Sequence, residues 1–386
     1  MISFMIVAFD WIIIALGAYF FCLATINALW MGKETRRAEL TDGPLVSVLV
    51  PARDEEEHIV PCIESLMHQT YKNYEVLVLD DNSTDKTREL LKKLQALYPD
   101  KLKVFSGKAL PEDWRGKGFA MKQLCEKAKG GYWLFTDADT VHSSSSVSLA
   151  ITNILYHKVD FLSGYITQKT KTFGEKATVP SLYLLSGFIL PLWVCKWGKS
   201  SALAVAIGQY ICVKSDSFMA CGGFDLVKDK TTEDVFLARA MKKHGYKTVF
   251  LNLKDAAMCR MYTSWQSCVN GISKNIFDFM NKNNIILVLA VIGVFIFLAL
   301  PPFLTIGLSI YSLLTAKAFT FTLAALWINM LLVGGTWVVV FTTQGVSWKH
   351  AFIYPLIFVN ILYIAFISWR RSVFKKGYEW KGRMVY

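Results

Sequence analysis

Hydrophobic positions fall into two kinds of pattern along this chain. Residues 3–31 and 284–369 are almost continuously apolar, whereas residues 33–175 alternate short apolar runs with polar stretches. The first run, SFMIVAFDWIIIALGAYFFCLATINALWM, exceeds the roughly 20 residues a helix needs to cross a bilayer. No Lys or Arg precedes it, and GKETRR (Lys33, Arg36, Arg37) follows it. A cleaved signal peptide carries its positive charge first, so residues 1–32 are expected to be an uncleaved anchor. The positive-inside bias then puts the N-terminus outside and the chain from Lys33 in the cytosol.

From Leu45 the pattern becomes α/β. LVSVLVP, YEVLVLD, LKVFSG and YWLFTD suit buried strands, while EEEHIVPCIESLMHQ and TDKTRELLKKLQAL between them have helical apolar spacing. Such alternation predicts an α/β fold with a mostly parallel sheet, in which ligands gather beyond the carboxyl ends of the strands.

The C-terminal apolar region raises a topological problem. Residues 285–314, FTFTLAALWINMLLVGGTWVVVFT and AFIYPLIFVNILYIAFIS could each cross. Three crossings from the cytosol would leave Arg370, Arg371, Lys375, Lys376, Lys381 and Arg383 outside, against the charge bias. A re-entrant hairpin turned at Pro301-Pro302 would leave two crossings and return the tail to the cytosol. A further apolar stretch, residues 177–195, is expected to lie along the near leaflet, because a crossing there would split the site described next. Pro180 and Pro191 also oppose a straight helix. Four regions result: an anchor (1–32), a cytosolic domain (45–283), a membrane region (284–369) and a basic cytosolic tail (370–386).

Composition adds little beyond this picture. The net charge of +12 suits a protein held at an anionic membrane surface, expected to be a bacterial cell membrane, and no nucleic-acid partner is expected. The eight cysteines show no CxxC pair, so reduced, mostly buried thiols are expected.

The chemistry lies at the strand ends. Beyond the first come Pro51, Arg53, Asp54 and Glu55; beyond the second, Asp80 and Asp81; beyond the fourth, Asp137-Ala138-Asp139. In an extended segment both carboxylates of that last triplet leave on one side. Acid clusters at three neighbouring strand ends make sense around Mg²⁺ or Mn²⁺ carrying a diphosphate.

VSVLVPARDEE, VLDDNSTDKT, GKGFAMKQLCEKAKGGYWLFTDADT and TTEDVFLARAMKKHGYKT occur in that order, and with them residues 45–255 resemble the family-2 glycosyltransferases of the GT-A fold. The resemblance implies a UDP-sugar donor. It implies that Pro51, Arg53 and Glu55 line the nucleotide pocket, that Asp81 meets the uracil with Asp80 alongside, and that Lys117 lies near the donor. Asp137 would touch ribose or metal, Asp139 would be the principal metal ligand, and Asp234, with Glu233 beside it, would be the base. One base without a second carboxylate nucleophile implies single displacement with inversion. Gly208, Gln209, Gly222 and Gly223 are expected near the acceptor.

The chain lacks the QxxRW signature of processive polysaccharide synthases; it has Arg260, Tyr262 and Trp265 in CRMYTSWQSCVNGISKNIF instead, with a Gly-x-x-Lys element (Gly271, Lys274) after RMY, and a terminal WKGR. These features resemble the lipid-directed branch, including the diaponeurosporenoate (carotenoid) glycosyltransferases and hopanoid-associated relatives. A membrane lipid or isoprenoid acceptor is therefore expected, with a polyprenyl phosphate, ceramide or glycerolipid as alternatives and a silent scaffold as the non-enzyme reading. Trp380, Lys381 and Arg383 of the tail are expected to close over the donor.

Overall fold

Alternate side chains of Val46–Ala52 (β1) enter two separate cores. Val46, Val48 and Val50 pack with Ile59, Ile63 and Leu66, whereas Leu49 packs with Met121 and Leu124. Two-sided burial of this kind arises when helices cover both faces of a sheet. The computed structural model describes residues 2–37, 40–280, 282–315, 320–374, 378–380 and 383–385.

The strands that follow are β2 (Tyr74–Asp80), β3 (Leu102–Ser106), β4 (Tyr132–Thr136), β5 (Thr140–His142), β6 (Phe161–Tyr165), β7 (Thr167–Gln168), β8 (Tyr210–Lys214), β9 (Thr248–Asn252) and β10 (Ala257–Cys259). Seven form one sheet in the order β3-β2-β1-β4-β8-β6-β9. It is mostly parallel; β8 alone runs against its neighbours, β4 and β6. β5, β10 and β7 make a separate three-stranded sheet.

The helices are α1 (Ile2–Glu34), α2 (Ile59–Met67), α3 (Thr87–Leu97), α4 (Gly116–Cys125), α5 (Ser146–His157), α6 (Phe173–Lys176), α7 (Leu192–Trp197), α8 (Ser215–Cys221), α9 (Glu233–Lys243) and α10 (Trp265–Phe279). Beyond them come α11 (Asn284–Val294), α12 (Leu300–Thr315), α13 (Phe321–Thr343) and α14 (Tyr354–Val373). All eight cysteines are free thiols, and all but Cys22 are buried.

Among the described residues four helical stretches are long and apolar enough to cross a membrane: Phe4–Glu34, Asn284–Thr315, Phe321–Thr343 and Trp348–Val373. The re-entrant turn expected at Pro301-Pro302 does not form. A π-turn over Phe295–Ala299 joins α11 to α12, and the Leu300 N–H bonds back to the Phe295 carbonyl. The two prolines thus stand in the first turn of a fresh helical segment, where a missing N–H costs little.

The chain turns back one helix later. α1 and α13 run parallel: Thr322 donates to Asp10 near their starts, and Gly335 packs on Phe21 further along. At the end of α13, Asn252 Nδ2 and Lys254 Nζ of the α/β domain donate to the Thr343 carbonyl at 2.8 and 3.1 Å. Trp348–Ile353 then folds back along α13, with His350 edge-on to Phe341 and Tyr354 beside Gly334. α14 continues along α10: Trp265 stacks on Tyr363, Phe277 N–H donates to Ser368 Oγ, and Arg371 donates to Ser273 Oγ and Asn270 Oδ1. Both ends of the segment therefore meet the α/β domain.

Residues 177–195 are broken, as their prolines suggest. Asn27 of α1 holds the break together, donating to the Ser186 and Leu190 carbonyls and accepting from the Leu192 N–H.

Candidate active site

The first two strand-end loops are locked to each other. Arg53 Nη1 donates to the Asp81 carbonyl at 2.6 Å and to the Asn82 carbonyl at 3.2 Å. Asp54 Oδ1 accepts from Thr84 N at 2.7 Å, and Glu55 N–H donates to Thr87 Oγ1 at 2.7 Å. Asp54 and Asn82 both adopt left-handed backbone, φ 50° and 56°, where short polar residues are tolerated best. Pro51, Arg53, Glu55 and Asp81 thus lie together at the neighbouring ends of β1 and β2. Asp80 does not join them: it accepts from Arg88 Nε at 2.6 Å and from Ser83 N at 3.0 Å, which shapes the turn.

Lys117, in the first turn of α4, is the centre of the charged cluster. Its Nζ lies 2.7 Å from Asp137 Oδ1 and 3.4 Å from Glu233 Oε1. Burial opposes the ammonium, but Asp137, Glu233 and Asp234 outweigh it and hold the pKa above the ordinary lysine value. Asp234 opens α9, where its Oδ1 accepts the Val235 N–H and its Oδ2 the Gly208 N–H at 2.7 Å. Burial, then the neighbouring Glu233 charge, push the Asp234 carboxyl up to about 6, well into the range of a working base. A methyl at Gly208 would stand 3.1 Å from Lys117 Nζ and 3.4 Å from Asp234 Oδ2, so glycine lets these two groups close in.

Asp139 lies on the turn between β4 and β5. Burial, then Asp137 and Glu55, push its carboxyl up to about 6, and the Cys259 thiol hydrogen-bonds to it. Two half-buried carboxylates, the charge of Asp137 raising the proton affinity of Asp139, would suit a divalent cation, with these two as the residues that would hold it. Among the described residues no three His, Cys, Asp or Glu side chains converge at ligand distances. The ion would take its other oxygens from diphosphate and water, as Mg²⁺-type sites do.

Several expected residues have other duties. Arg260 forms a two-point ion pair with the fully buried Glu175 (2.8 and 3.2 Å) and ties the end of β10 to α6. Burial raises the Glu175 carboxyl, but Arg260 and nearby N–H and hydroxyl donors overcome this and bring it down to about 2. Trp265 faces α14, stacked on Tyr363 and donating to Asn360 Oδ1 at 3.1 Å. Gly222 and Gly223 take φ values of 108° and 54° to end α8 against Leu226 and Phe218, and so serve the turn. Tyr262 is half-buried against Gly271 of α10, with Asp139 among the charges near it. Gln209 Oε1 accepts from Gln168 Nε2 at 2.7 Å, which leaves the buried Gln209 Nε2 and Gln168 Oε1 without a hydrogen-bond partner.

Of the tail residues, Lys381 lies outside the described residues. Trp380 and Arg383 are described as backbone alone, paired across a two-stranded hairpin of β11 (Tyr378–Trp380) and β12 (Arg383–Val385). Lys274 of α10, the lysine of the Gly-x-x-Lys element, lies in the field of Glu233, Lys117, Asp137 and Asp234. Nothing local in a sequence reveals that a lysine some forty residues beyond the base returns to it.

Comparison with known proteins agrees with this geometry. Residues 47–191 match the model of the family described as Glycosyl transferase family 2. Over 123 residues it is 29% identical to UDP-Glc:alpha-D-GlcNAc-diphosphoundecaprenol beta-1,3-glucosyltransferase WfgD of Escherichia coli, covering 32% of this chain and 46% of that protein. Over 98 residues it is 41% identical to beta-monoglucosyldiacylglycerol synthase of a Nostoc species, covering 25% of this chain and 20% of that protein. The matches thus span less than half of these relatives' lengths. Among solved structures, the mannosyltransferase PcManGT of Pyrobaculum calidifontis, in complex with GDP-Man and Mn²⁺, superimposes with a TM-score of 0.55 at 17% identity, covering 95% of this chain and 99% of that one. The fold is accordingly GT-A-like.

Proposed function

We propose that this protein is a membrane-held, inverting glycosyltransferase that moves a sugar from a UDP-sugar to a lipid or isoprenoid acceptor at the cytosolic face. The observation that carries the reading is the placement of Asp234. Its carboxylate is fixed by two backbone N–H donors, sits beside Lys117, and lies in the field of Lys274 of α10, the helix that packs on the apolar α14.

The interlocked loops around Arg53 and Asp81 would hold the nucleotide, and Asp137 and Asp139 would hold a divalent cation. When bound, that cation supplies Lewis-acid stabilisation of the departing diphosphate. Lys117 keeps Asp137 and Glu233 in place. Asp234 takes the proton from the acceptor hydroxyl as the acceptor oxygen forms its bond to the anomeric carbon. The bond from that carbon to the diphosphate breaks on the opposite side, so the configuration inverts. A carboxylate base in this position favours a hydroxyl acceptor over an already ionised one.

Two relatives named for undecaprenol-linked and diacylglycerol acceptors support a lipid acceptor. Glucose is the proposed sugar, and a carotenoid-type isoprenoid is the narrower acceptor reading. Membranes containing wild type or Asp234→Asn, given radiolabelled UDP-glucose, Mn²⁺ and a lipid extract, test it. Label entering the organic phase with wild type alone supports the reading. Wild type that binds UDP but transfers label only to water-soluble material sinks the lipid acceptor, and an active Asp234→Asn removes the proposed base.

A further inference from the structure

α10 shows which of its faces looks into the site through what each face touches. Cys268, Val269 and Ile272 pack with Ile364 and Ile367 of α14, so that side belongs to the helix pair. Gly271 belongs to another side. A methyl there would stand 2.2 Å from a ring carbon of Tyr262, and Tyr262 itself lies in the field of Asp139. Lys274 follows Gly271 by three residues and therefore shares its face. The strand leading to Tyr262 ends at Cys259, which pairs with Thr140 next to Asp139, so this face looks towards the acid cluster; the Lys274 ammonium lies in the field of Glu233, Asp137 and Asp234, with Lys117 as the neighbouring cation.

Charge shows what a second ammonium does there. Lys117 is already engaged between Asp137 and Glu233. Four carboxylates, those of Asp137, Asp139, Glu233 and Asp234, surround the place where transfer would occur. A dication and Lys117 together leave them still net negative, so a diphosphate would enter against repulsion. A lysine is suited to meet such a group as a mobile point charge.

We propose that Lys274 is a phosphate-binding residue: its ammonium, delivered by the helix that packs on α14, takes a phosphate oxygen at the transfer site. This inference rests on the nucleotide-sugar reading above. The phosphate belongs either to the donor diphosphate or to the head group of a phosphorylated lipid acceptor, and the two sources separate experimentally.

The test uses the purified full chain in lipid nanodiscs with Mn²⁺, comparing wild type, K274M and K274R. UDP and uridine are titrated calorimetrically, and transfer is measured to a polyprenyl phosphate and to diacylglycerol. If the donor diphosphate is the partner, K274M weakens UDP binding about ten- to a hundredfold, uridine binding is unchanged, and K274R recovers most of the loss. If the acceptor phosphate is the partner, UDP binding is unchanged while transfer to polyprenyl phosphate falls by a similar factor and transfer to diacylglycerol does not. Equal losses for UDP and uridine would overturn the proposal as a folding defect. Unchanged UDP binding and unchanged transfer to both acceptors would overturn it, as would a shifted pH limb alone, which would assign Lys274 to the carboxylates. Wild type that binds neither UDP nor GDP would remove the nucleotide reading and this inference with it. That result is distinct from normal binding undisturbed by K274M.

Discussion

The backbone N–H of Gly208 donates to Asp234 Oδ2 at 2.7 Å, across 26 residues of chain. A methyl on Gly208 would stand 3.1 Å from Lys117 Nζ, so that the ammonium must yield by a few tenths of an ångström, and 3.4 Å from that same oxygen, an ordinary contact. Misplacing a reacting group by a fraction of an ångström to an ångström costs up to about a hundredfold in rate. Gly208→Ala is therefore expected to lower kcat by about ten- to a hundredfold with little change in UDP affinity. Kinetics alongside UDP titration check it, and a variant with full kcat would show that the contact is not part of the transfer geometry.

Asp234 also sets a pH dependence. Its carboxyl is raised from the ordinary 3.8 to about 6, by burial first and by Glu233 second. A base works when ionised, so the rate is expected to fall about tenfold per pH unit below about 6 and to level off above it. An unperturbed aspartate would place that limb near pH 4. Asp234→Asn should lose about two to four orders of magnitude and flatten the profile. Rates of wild type and variant from about pH 4 to 8 decide between these outcomes.

How much of this could be read in the chain varies with the range of the interaction involved. The strands were legible because β1 is buried on both faces and therefore apolar almost throughout, a local property. The acid clusters were legible because they follow those strands directly. Arg260 was legible as a charged residue near the site, but its partner is Glu175, 85 positions away, and only packing shows that the pair is structural. Asp80 was similarly ambiguous until Arg88 was found on it. The proline pair suggested a turn because a proline interrupts a regular helix, yet a π-turn before it let the helix continue. Lys274 was legible as the lysine of a Gly-x-x-Lys element, but the charges around it come from Asp137, Glu233 and Asp234, which only the fold brings into its neighbourhood.

Metal dependence offers a test that does not require the acceptor. If Asp137 and Asp139 hold the divalent ion, Mn²⁺ should raise the unfolding midpoint of the wild type. At a hundredfold excess over Kd the stabilisation would be about 2.7 kcal/mol. Asp139→Asn is expected to abolish that shift along with transfer, while leaving the midpoint without Mn²⁺ unchanged or higher, because a buried repulsive charge is removed. Thermal scans of both proteins with Mn²⁺ and with chelator measure it; an equal Mn²⁺ shift in the variant would exclude Asp139 as a principal ligand.

Arg260 leads to the opposite expectation. Its ion pair with the buried Glu175 holds β10 to α6, away from the nucleotide loops. Arg260→Leu would strand a buried carboxylate, so the midpoint should drop by several degrees while UDP affinity in the folded protein stays at the wild-type value. Glu175→Gln, which keeps a neutral partner, should lose less. Loss of UDP binding at temperatures where Arg260→Leu is folded would return this arginine to the binding site.

The last prediction concerns which side of the membrane the tail occupies. α14 has 20 residues, which as a helix is about 30 Å, enough to cross a bilayer. Its contacts argue against a crossing. The chain just before it is tied to Asn252 and Lys254, and its last turns are tied to Asn270, Ser273 and Phe277, all in the α/β domain. A helix that spanned would carry one of these ends to the opposite face. If α1, Asn284–Thr315 and α13 cross while α14 packs on α10 and on the middle of Asn284–Thr315 without crossing, the basic tail would return to the side of Asp234, in line with the positive-inside bias. A green fluorescent protein fused after Tyr386 should therefore fluoresce in a bacterial host, and alkaline phosphatase fused there should be inactive. The same phosphatase fused after Thr315 should be active. Active phosphatase at the C-terminus would establish a fourth crossing and separate the tail from the site.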